Sequence, residues 1–450
     1  MRLSLKNNGG RRVLTRRGFV KSAAVAASVL ARPWIVPHTA LASPGRPGAN
    51  DRVDIALFGM GVRGSQLVDN MPELGRVVAV ADPNRSRAAA NTKRKNGAWA
   101  VFDDPRRLLD REKVDGVVCC NTDHNHIHTA ILACQAGADL YVEKPFCHTI
   151  AEGRVLVELA NRHGRILQAG TQSRSIPINQ VLLTGIRDGR WGKLKAVVCR
   201  AHRIARPTPS LEPQPLPEGM NWDVWLGPAP QLPYNEEYVK NWLQFRHISQ
   251  WTNGGWGAHA YDMIQNALGA EDTGPVAIWP TGPRSHYGEY EEALNTKLRM
   301  KYASGDVVRM EVVRGTGPDV GAIFVCEDAK IEVNRNTFKS NPPDLIKELP
   351  PDPDGAQEVT NSPSRRGWMG RYHVRNWLQC VVNRRQPAAH GELAQRAGTL
   401  CCLTTIARIL NRPLKWDPTA EQFVGDDEAN RLIAPPRRQG YELPAIDVRG

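Results

Sequence analysis

Six short apolar runs, each stopped by a turn former or a polar residue, recur along the chain after residue 52. They are Val53–Phe58, Arg76–Ala81, Ala98–Phe102, Asp115–Cys120, Ala138–Val142 and Arg165–Gly170. Helical patterns lie between most of them, including one at about 149–162. Continuous apolar strands alternating with helices predict a parallel sheet covered on both faces, the α/β arrangement. After residue 172 the pattern changes. Leu194–Ala201 reads as a strand, and Val276–Trp279, Leu298–Tyr302, Val307–Val313, Ala322–Cys326 and Lys330–Val333 read as antiparallel strands with short turns. The Pro-rich stretch Arg206–Pro233 predicts mostly irregular backbone, because Pro lacks a ladder donor. Tyr372–Val382 and Glu392–Leu410 read as amphipathic helices, and no internal repeat is visible.

The amino terminus follows different rules. Thr15-Arg16-Arg17-Gly18-Phe19-Val20-Lys21 precedes a mild apolar run, Ser22–Ala31, and then Ala40-Leu41-Ala42. The order of paired Arg, short apolar run and small-residue cleavage site reads as a twin-arginine export signal over 1–42. The apolar run is too short to span a bilayer about 30 Å thick. The expected consequences are a mature chain beginning near Ser43, passage through the twin-arginine translocase, and a periplasmic or extracellular destination. Residues 43–50 are rich in turn formers and read as a linker.

This leader changes the meaning of the charge. The formal net charge is +13, but residues 1–42 hold eight Lys or Arg and no acid, which leaves +5 on all the rest. No basic block is interleaved with aromatics, so nucleic acid is not expected as a partner. No later run of 18 apolar residues is present, so no membrane span is expected. The nine cysteines sit mostly in apolar stretches without C-x-x-C spacing, which reads as buried thiols rather than a disulfide framework.

Gly59-Met60-Gly61-Val62-Arg63-Gly64 is a G-x-G-x-x-G between the first strand and a helix, and Asp82 ends the second strand. Alone the glycine pattern is weak, and a Gly-rich turn of another α/β protein would share it; this context points to a dinucleotide site. Gly59 allows the tight turn, Gly61 lets backbone approach a pyrophosphate at a helix N-terminus, and Gly64 permits close helix–strand packing. Asp82 is expected to accept from the adenosine ribose, favouring NAD over NADP, while Arg85 could soften that preference so that NADP stays open. Glu143-Lys144-Pro145 ends the fifth strand, on the edge where such sheets bind ligands. A Lys there, with a lowered pKa, can exchange a proton with a substrate hydroxyl as hydride leaves the carbon. On spacing alone, a surface Lys beside a kink fits as well.

Gly59–Gly64, Asp82, Glu143-Lys144-Pro145 and Gly170-Thr171-Gln172 together resemble the glucose–fructose oxidoreductase / inositol dehydrogenase (Gfo/Idh/MocA) family, over nearly all of 52–430. The segment from Asn376-Trp377 to Leu414-Lys415-Trp416-Asp417-Pro418 is similar to its exported branch. The resemblance implies an N-terminal Rossmann sheet and a C-terminal α+β domain with an open, mainly antiparallel sheet that covers the nicotinamide. It also implies a homo-oligomer, dimer or tetramer, and sugar, polyol or related substrates. The corresponding divisions are 51–172 for the NAD-binding domain, 173–370 for the substrate domain, 371–418 for helices packing back, and 419–450 for a tail.

The family's catalytic Lys falls on Lys144 and its substrate-domain His on His259. Asp262 shares a helix face with His259 and could orient the imidazole or pair locally. Many members carry an Asp four residues before this His; here that position is Gly255. The loss puts the usual Lys–Asp–His relay in question. Asn121 and His126, with Met60, Val62, Arg63 and Glu143, are expected to line the cofactor. The run His124-x-His126-x-His128 invites a metal reading, but it lacks placed carboxylates and no metal is expected; His124 and His128 read as solvated loop or helix-start residues. Gln172 and Arg174 leave the sixth strand toward the cleft. Trp251 and Trp256 flank Gly254-Gly255, where an aromatic face suits a sugar ring, although core packing accounts for each Trp equally. Gln395-Arg396 stands where His-Arg is frequent in this branch.

The sequence therefore predicts an exported NAD-dependent oxidoreductase of a sugar, polyol or glycoside, with cofactor held tightly. Its alternatives are an NAD-dependent glycosidase acting by transient oxidation and elimination, and a non-catalytic sugar- or nucleotide-binding protein of the same fold.

Overall fold

The computed structural model describes residues 48, 51–202, 211–250, 253–282, 296–312, 321–334, 338–343, 345 and 366–446. The chain divides into two units, Met1–Arg52 and Val53–Gly450, and every element below belongs to the second. The signal, its cleavage site and nearly all of the linker lie outside the described residues.

β1 (Val53–Phe58), β2 (Gly75–Ala81), β3 (Ala100–Phe102), β4 (Gly116–Cys119), β5 (Asp139–Val142) and β6 (Leu167–Ala169) form a parallel sheet in the order β3-β2-β1-β4-β5-β6. α1 (Val62–Asp69), α2 (Arg85–Arg94), α3 (Pro105–Arg111), α4 (Asp123–Gln135) and α5 (Ile150–Arg162) make the crossovers. The two-residue period of β1 explains the layering. Val53, Ile55 and Leu57 pack with Leu67 of α1 and Ala88 of α2, whereas Ala56 and Phe58 join the cluster that holds Ile127 and Ala130 of α4. Strand order reverses between β1 and β4, which opens a crevice at their carboxyl ends. α5 starts at a capping box, with Thr149 and Glu152 each accepting from the other's backbone. α6 (Pro177–Arg187) follows and opens on Pro, as a first helical turn allows.

The second sheet has nine strands: β7 (Leu194–His202), β8 (Pro275–Thr281), β9 (Lys297–Tyr302), β10 (Val307–Val312), β11 (Gly321–Cys326), β12 (Lys330–Asn334), β13 (Phe338–Asn341), β14 (Leu414–Asp417) and β15 (Gln422–Phe423). Its pairs are antiparallel except β7 with β10, which run parallel. α7 (Ala258–Ala267) lies against β7 and β11. The Pro-rich segment and the residues that follow it carry two single-turn helices, Trp222–Leu226 and Glu236–Lys240, and share a small core of Trp222, Trp225, Tyr238, Phe245 and Ile248.

α8 (Arg366–Asn383) and α9 (Gly391–Leu410) return to the first sheet and its helices. Val374, Trp377, Leu378 and Val381 close the β1/β4 face, and a Cβ on Gly116 would lie 2.9 Å from the Trp377 ring. α9 is buried between α5 and α7. The segment from residue 419 is more than a tail. It supplies β15, Arg437 bonds Glu152 at 2.5 Å, and Arg438 bonds Asp223 at 2.6 Å.

Candidate active site

The glycine loop has the steric logic read from its pattern. Gly59 sits at φ +99° with the backbone of Cys120 and Asn121 2.8 Å from where a Cβ would be. A Cβ on Gly64 would meet the Gly59 carbonyl at 2.1 Å, so this glycine lets α1 press on the turn. Around Gly61 nothing lies within 4 Å, and α1 begins there with no side-chain cap. Arg63 Nη2 and Asn121 Oδ1 are buried without a partner among the described residues. An open glycine at an uncapped helix start, with an unused guanidinium donor beside it, fits the pyrophosphate of a dinucleotide.

Asp82 differs from expectation. It is fully buried (0% exposed). Its Oδ1 accepts from Asn84 N and Arg87 Nη2, both at 2.8 Å, and its Oδ2 from Met60 N at 2.7 Å and Arg87 Nη2 at 3.0 Å. A carboxylate offers about four acceptor positions. All are in use, so a ribose must displace Arg87 to reach Asp82. The basic residue at this corner is Arg87, brought round by the Asn84 cap of α2, and not Arg85.

Glu143 and Lys144 leave β5 on the same edge. Glu143 accepts from Arg63 Nε at 2.7 Å, Gln172 Nε2 at 2.9 Å and Lys144 N at 3.1 Å. Burial works to raise this carboxyl, and Arg63 with Lys144 outweighs it and holds it below its usual range. A Cβ on Gly170 would lie 2.7 Å from Glu143 Cδ, so the Gly170-Thr171-Gln172 turn can fit only as glycine there. Gln172 therefore supports Glu143 and Tyr141 from beneath, where a substrate contact had been expected.

The three histidines have separate partners. His126 Nδ1 lies 2.9 Å from Pro145 O and Nε2 3.2 Å from Asn121 O, so its ring braces the Lys144-Pro145 turn against the end of β4. His124 is buried, with Nδ1 2.9 Å from Ile248 O, and Nε2 3.1 Å from Asn125 Nδ2 and 3.0 Å from Trp225 O. Burial pulls it down to about 3. The His128 ring packs against Tyr441 at a tilt of 56° and is pulled down to about 4, mainly by burial. His124 and His128 both belong to the start of α4, the helix-start reading; His124 is buried there and His128 half-buried, so neither is a freely solvated loop residue.

Arg174 and Asp262 also serve differently from the substrate contacts expected of them. Arg174 Nε bonds both Asp262 oxygens at 2.8 and 2.9 Å, and Nη1 reaches Glu271 at 2.5 Å. The pair is buried and clamps the end of the first sheet to α7. His259, 1% exposed, stands in the first turn of that helix. Just before it, a single π-helical turn over Asn253–Gly257 brings Gly254 against the other domain, where a Cβ would meet Pro145 Cγ at 3.0 Å. Gly255, which meets only Leu243 at 3.7 Å, offers no carboxylate. Trp251 and the Trp256 side chain lie outside the described residues. Gln395 and Arg396 are remote from this cluster. They bond Ile150 O, Glu421 and Pro418 O, joining α9 to α5 and to the β14–β15 turn.

Sequence reasoning missed Asp123. It opens α4, is 1% exposed, and accepts from Gln250 N at 3.0 Å. Burial pushes its carboxyl up to about 7, against the Gln250 amide and Lys144, which favour its charge. Its place just beyond β4 on the carboxyl edge was the available signal.

Residues 53–171 match the domain described as oxidoreductase family, NAD-binding Rossmann fold, and residues 206–443 match oxidoreductase family, C-terminal alpha/beta domain. D-glucoside 3-dehydrogenase from Escherichia coli (strain K12) is 30% identical over 28% of this chain, which spans 36% of that relative's length. D-apiose dehydrogenase from Paraburkholderia graminis is 24% identical over 69% of this chain and 74% of its own. The fold is also that of the WlbA dehydrogenase from Bordetella pertussis, solved with NADH and UDP-GlcNAcA. That match has a TM-score of 0.61 at 16% identity, covering 82% of this chain and 98% of that one.

Proposed function

The chain belongs to the Gfo/Idh/MocA family of oxidoreductases, and we propose from that membership that it is an exported enzyme oxidising or reducing a sugar, polyol or glycoside with tightly held NAD. The observation that carries this reading is the meeting of the open glycine loop with the Glu143-Lys144 turn on one sheet edge, joined by Arg63. Gly59, Gly61, Gly64, Arg63 and Asn121 would hold the dinucleotide. When bound, NAD supplies a hydride acceptor at the nicotinamide. Lys144 takes the hydroxyl proton, and the Arg63–Glu143 pair fixes the turn that carries it. His259, at the start of α7, is assigned to the substrate hydroxyl. The curated relatives named for D-glucoside and D-apiose support a carbohydrate substrate. NADP is a secondary cofactor because Arg87 stands at the ribose corner.

Export rests on the twin-arginine pattern of residues 1–42. No nicotinamide pool is expected outside the cytoplasm, so the enzyme restores its own cofactor, either with a second sugar or by returning hydride after glycoside elimination. The test is to denature protein purified from its exported form and identify the released nucleotide by mass spectrometry. Sugars and glycosides are then screened by the absorbance of bound cofactor. Released NAD with an N-terminus near Ser43 supports the reading. Protein without nucleotide and without calorimetric affinity for it overturns the enzyme. A retained leader overturns export. Light scattering reads the proposed dimer or tetramer.

A further inference from the structure

We propose that Asp123 is the carboxylate partner of Lys144, a positioning residue that holds the amine toward the substrate and stabilises the ammonium formed when it takes a proton. This rests on the reading of Lys144 as the proton-transfer group.

The placement is built by three elements. β4 and β5 are neighbours with Cys119 opposite Val142, so Asp123 and Lys144 emerge side by side on the carboxyl edge. The Asp123 carboxylate is aimed by the Gln250 amide at 3.0 Å. Gln250 is itself fixed by Thr405 Oγ1 at 2.9 Å and Cys402 Sγ at 3.1 Å on α9, and by the carbonyl of His148. His124 N bonds Ile248 O at 3.1 Å, which locks the irregular segment preceding Gly254 to the start of α4. A Cβ on Gly254 would meet Gln250 Cβ at 2.3 Å. Asp123 thus lies where the Lys144 turn, the start of α4 and the segment leading to His259 come together.

Competition among carboxylates favours the same residue. The ionisable groups facing Asp123 are Lys144, Glu152 of α5 and Cys401 of α9. Glu152 is bound to Arg437 and to the amides of His148 and Thr149. Glu143 is bound to Arg63, Gln172 and the Lys144 amide. Asp123 is bound to one backbone amide and to no arginine among the described hydrogen bonds and ion pairs, so its charge answers to Lys144. With glycine at position 255, the turn before His259 brings no carboxylate of its own there, and Asp123 supplies negative charge from the first domain.

The step balances simply. The substrate O–H bond breaks and an N–H bond forms at Lys144 Nζ. The carbon's hydride goes to oxidised nicotinamide, C=O forms, and the new ammonium faces Asp123.

The test needs no substrate. Competitive acylation of holoenzyme across pH, read by mass spectrometry, gives the Lys144 pKa in wild type and in Asp123→Asn. A neighbouring carboxylate raises an amine's pKa, so the variant value falls by about one unit or more. An unchanged value overturns the proposal. Should Asp123→Asn fail to fold, Lys144→Met keeps Asp123 intact. The infrared band of the protonated Asp123 carboxyl, assigned by its isotope shift, then titrates about one unit or more above wild type. No shift overturns the pairing. Both readouts stand even if no sugar is turned over, so failure here is distinct from failure of the proposed activity. Once a substrate is known, Asp123→Asn lowers kcat and moves the acid limb of its pH profile for oxidation to lower pH, with KM little changed. A fall in kcat with an unmoved profile overturns the role.

Discussion

Arg63 Nε and Glu143 Oε1 meet at 2.7 Å across 80 residues of sequence, joining the first turn of α1 to the turn that carries Lys144. On the proposed reading the pair couples the phosphate-binding loop to the proton-transfer group, so cofactor affinity and lysine placement would be set together. Glu143 is almost wholly buried and Arg63 partly so. Arg63→Ala leaves Glu143 without its strongest donor. The expected cost is about 1.5–3 kcal/mol in urea unfolding, the range for a hydrogen bond to a charged group. NAD affinity falls as well, read by calorimetry. Unchanged affinity would place Arg63 away from the cofactor.

The Asp82–Arg87 pair makes a prediction about cofactor choice. Asp82→Ala removes the acceptor of Met60 N and releases Arg87. NAD affinity should fall roughly tenfold or more, from the loss of about 1.5–3 kcal/mol of charge-assisted bonding. NADP affinity falls less, because the released guanidinium suits a 2′-phosphate. Arg87→Ala does the opposite: it opens two acceptor positions on Asp82 and shifts preference toward NAD. Titration calorimetry with both nucleotides on both variants checks the pattern, and equal losses would separate Asp82 from the ribose.

Lys144→Ala and His259→Ala should each lower turnover by roughly 100-fold or more while nucleotide stays bound, since positioned acid–base groups supply factors of about 10²–10⁴. The absorbance of bound reduced cofactor with candidate sugars is the readout. A Lys144→Ala protein that reduces its NAD at the wild-type rate removes Lys144 from proton transfer. An unchanged His259→Ala protein moves attention to His126, whose ring touches the Pro145 carbonyl.

Strand positions and glycine chemistry were legible because each is a local demand. The apolar runs fix β1 to β6, and the steric needs of Gly59 and Gly64 follow from a tight turn meeting a helix. Side-chain partnership was not legible. Asp82 looked open because its donors are a loop amide, a cap amide and Arg87, and the last comes within reach only through the Asn84 cap. Arg174 and Asp262, 88 residues apart, read as two cleft residues and proved to be one buried pair. Asp123 was passed over within a histidine-rich run whose members take three different environments. β13, β14 and β15 escaped because strands of two to four residues leave no measurable alternation.

The Arg174–Asp262 pair makes a stability prediction. Asp262→Ala leaves a guanidinium buried with Glu271 as its remaining acid, and breaking such pairs on one side costs about 3–5 kcal/mol. Replacing both residues by apolar side chains of similar volume should cost much less, because no uncompensated charge remains. Urea unfolding of the single and double variants decides. Equal losses would show that packing, rather than charge, holds the end of the first sheet to α7.

Acid sensitivity follows from His373. Its Nε2 lies 2.7 Å from Ala169 O and its Nδ1 2.7 Å from Ser175 Oγ, and burial pulls it down to about 4. A histidine whose folded pKa lies below its unfolded value, about 6.5, binds fewer protons in the native state. Its stabilising contribution is therefore present above pH 6.5 and is lost as pH falls toward 4. Between pH 7.5 and 5 this amounts to about 2 kcal/mol for one such group. Asp123, whose folded carboxyl is raised, works in the opposite direction over part of the same range, so the total slope mixes several groups. Comparing wild type with His373→Gln cancels the others. The variant, whose amide keeps a donor and an acceptor, should be less stable at pH 7.5 yet lose about 2 kcal/mol less on acidification to pH 5. Parallel pH curves for the two proteins would mean that His373 is already able to charge in the folded state.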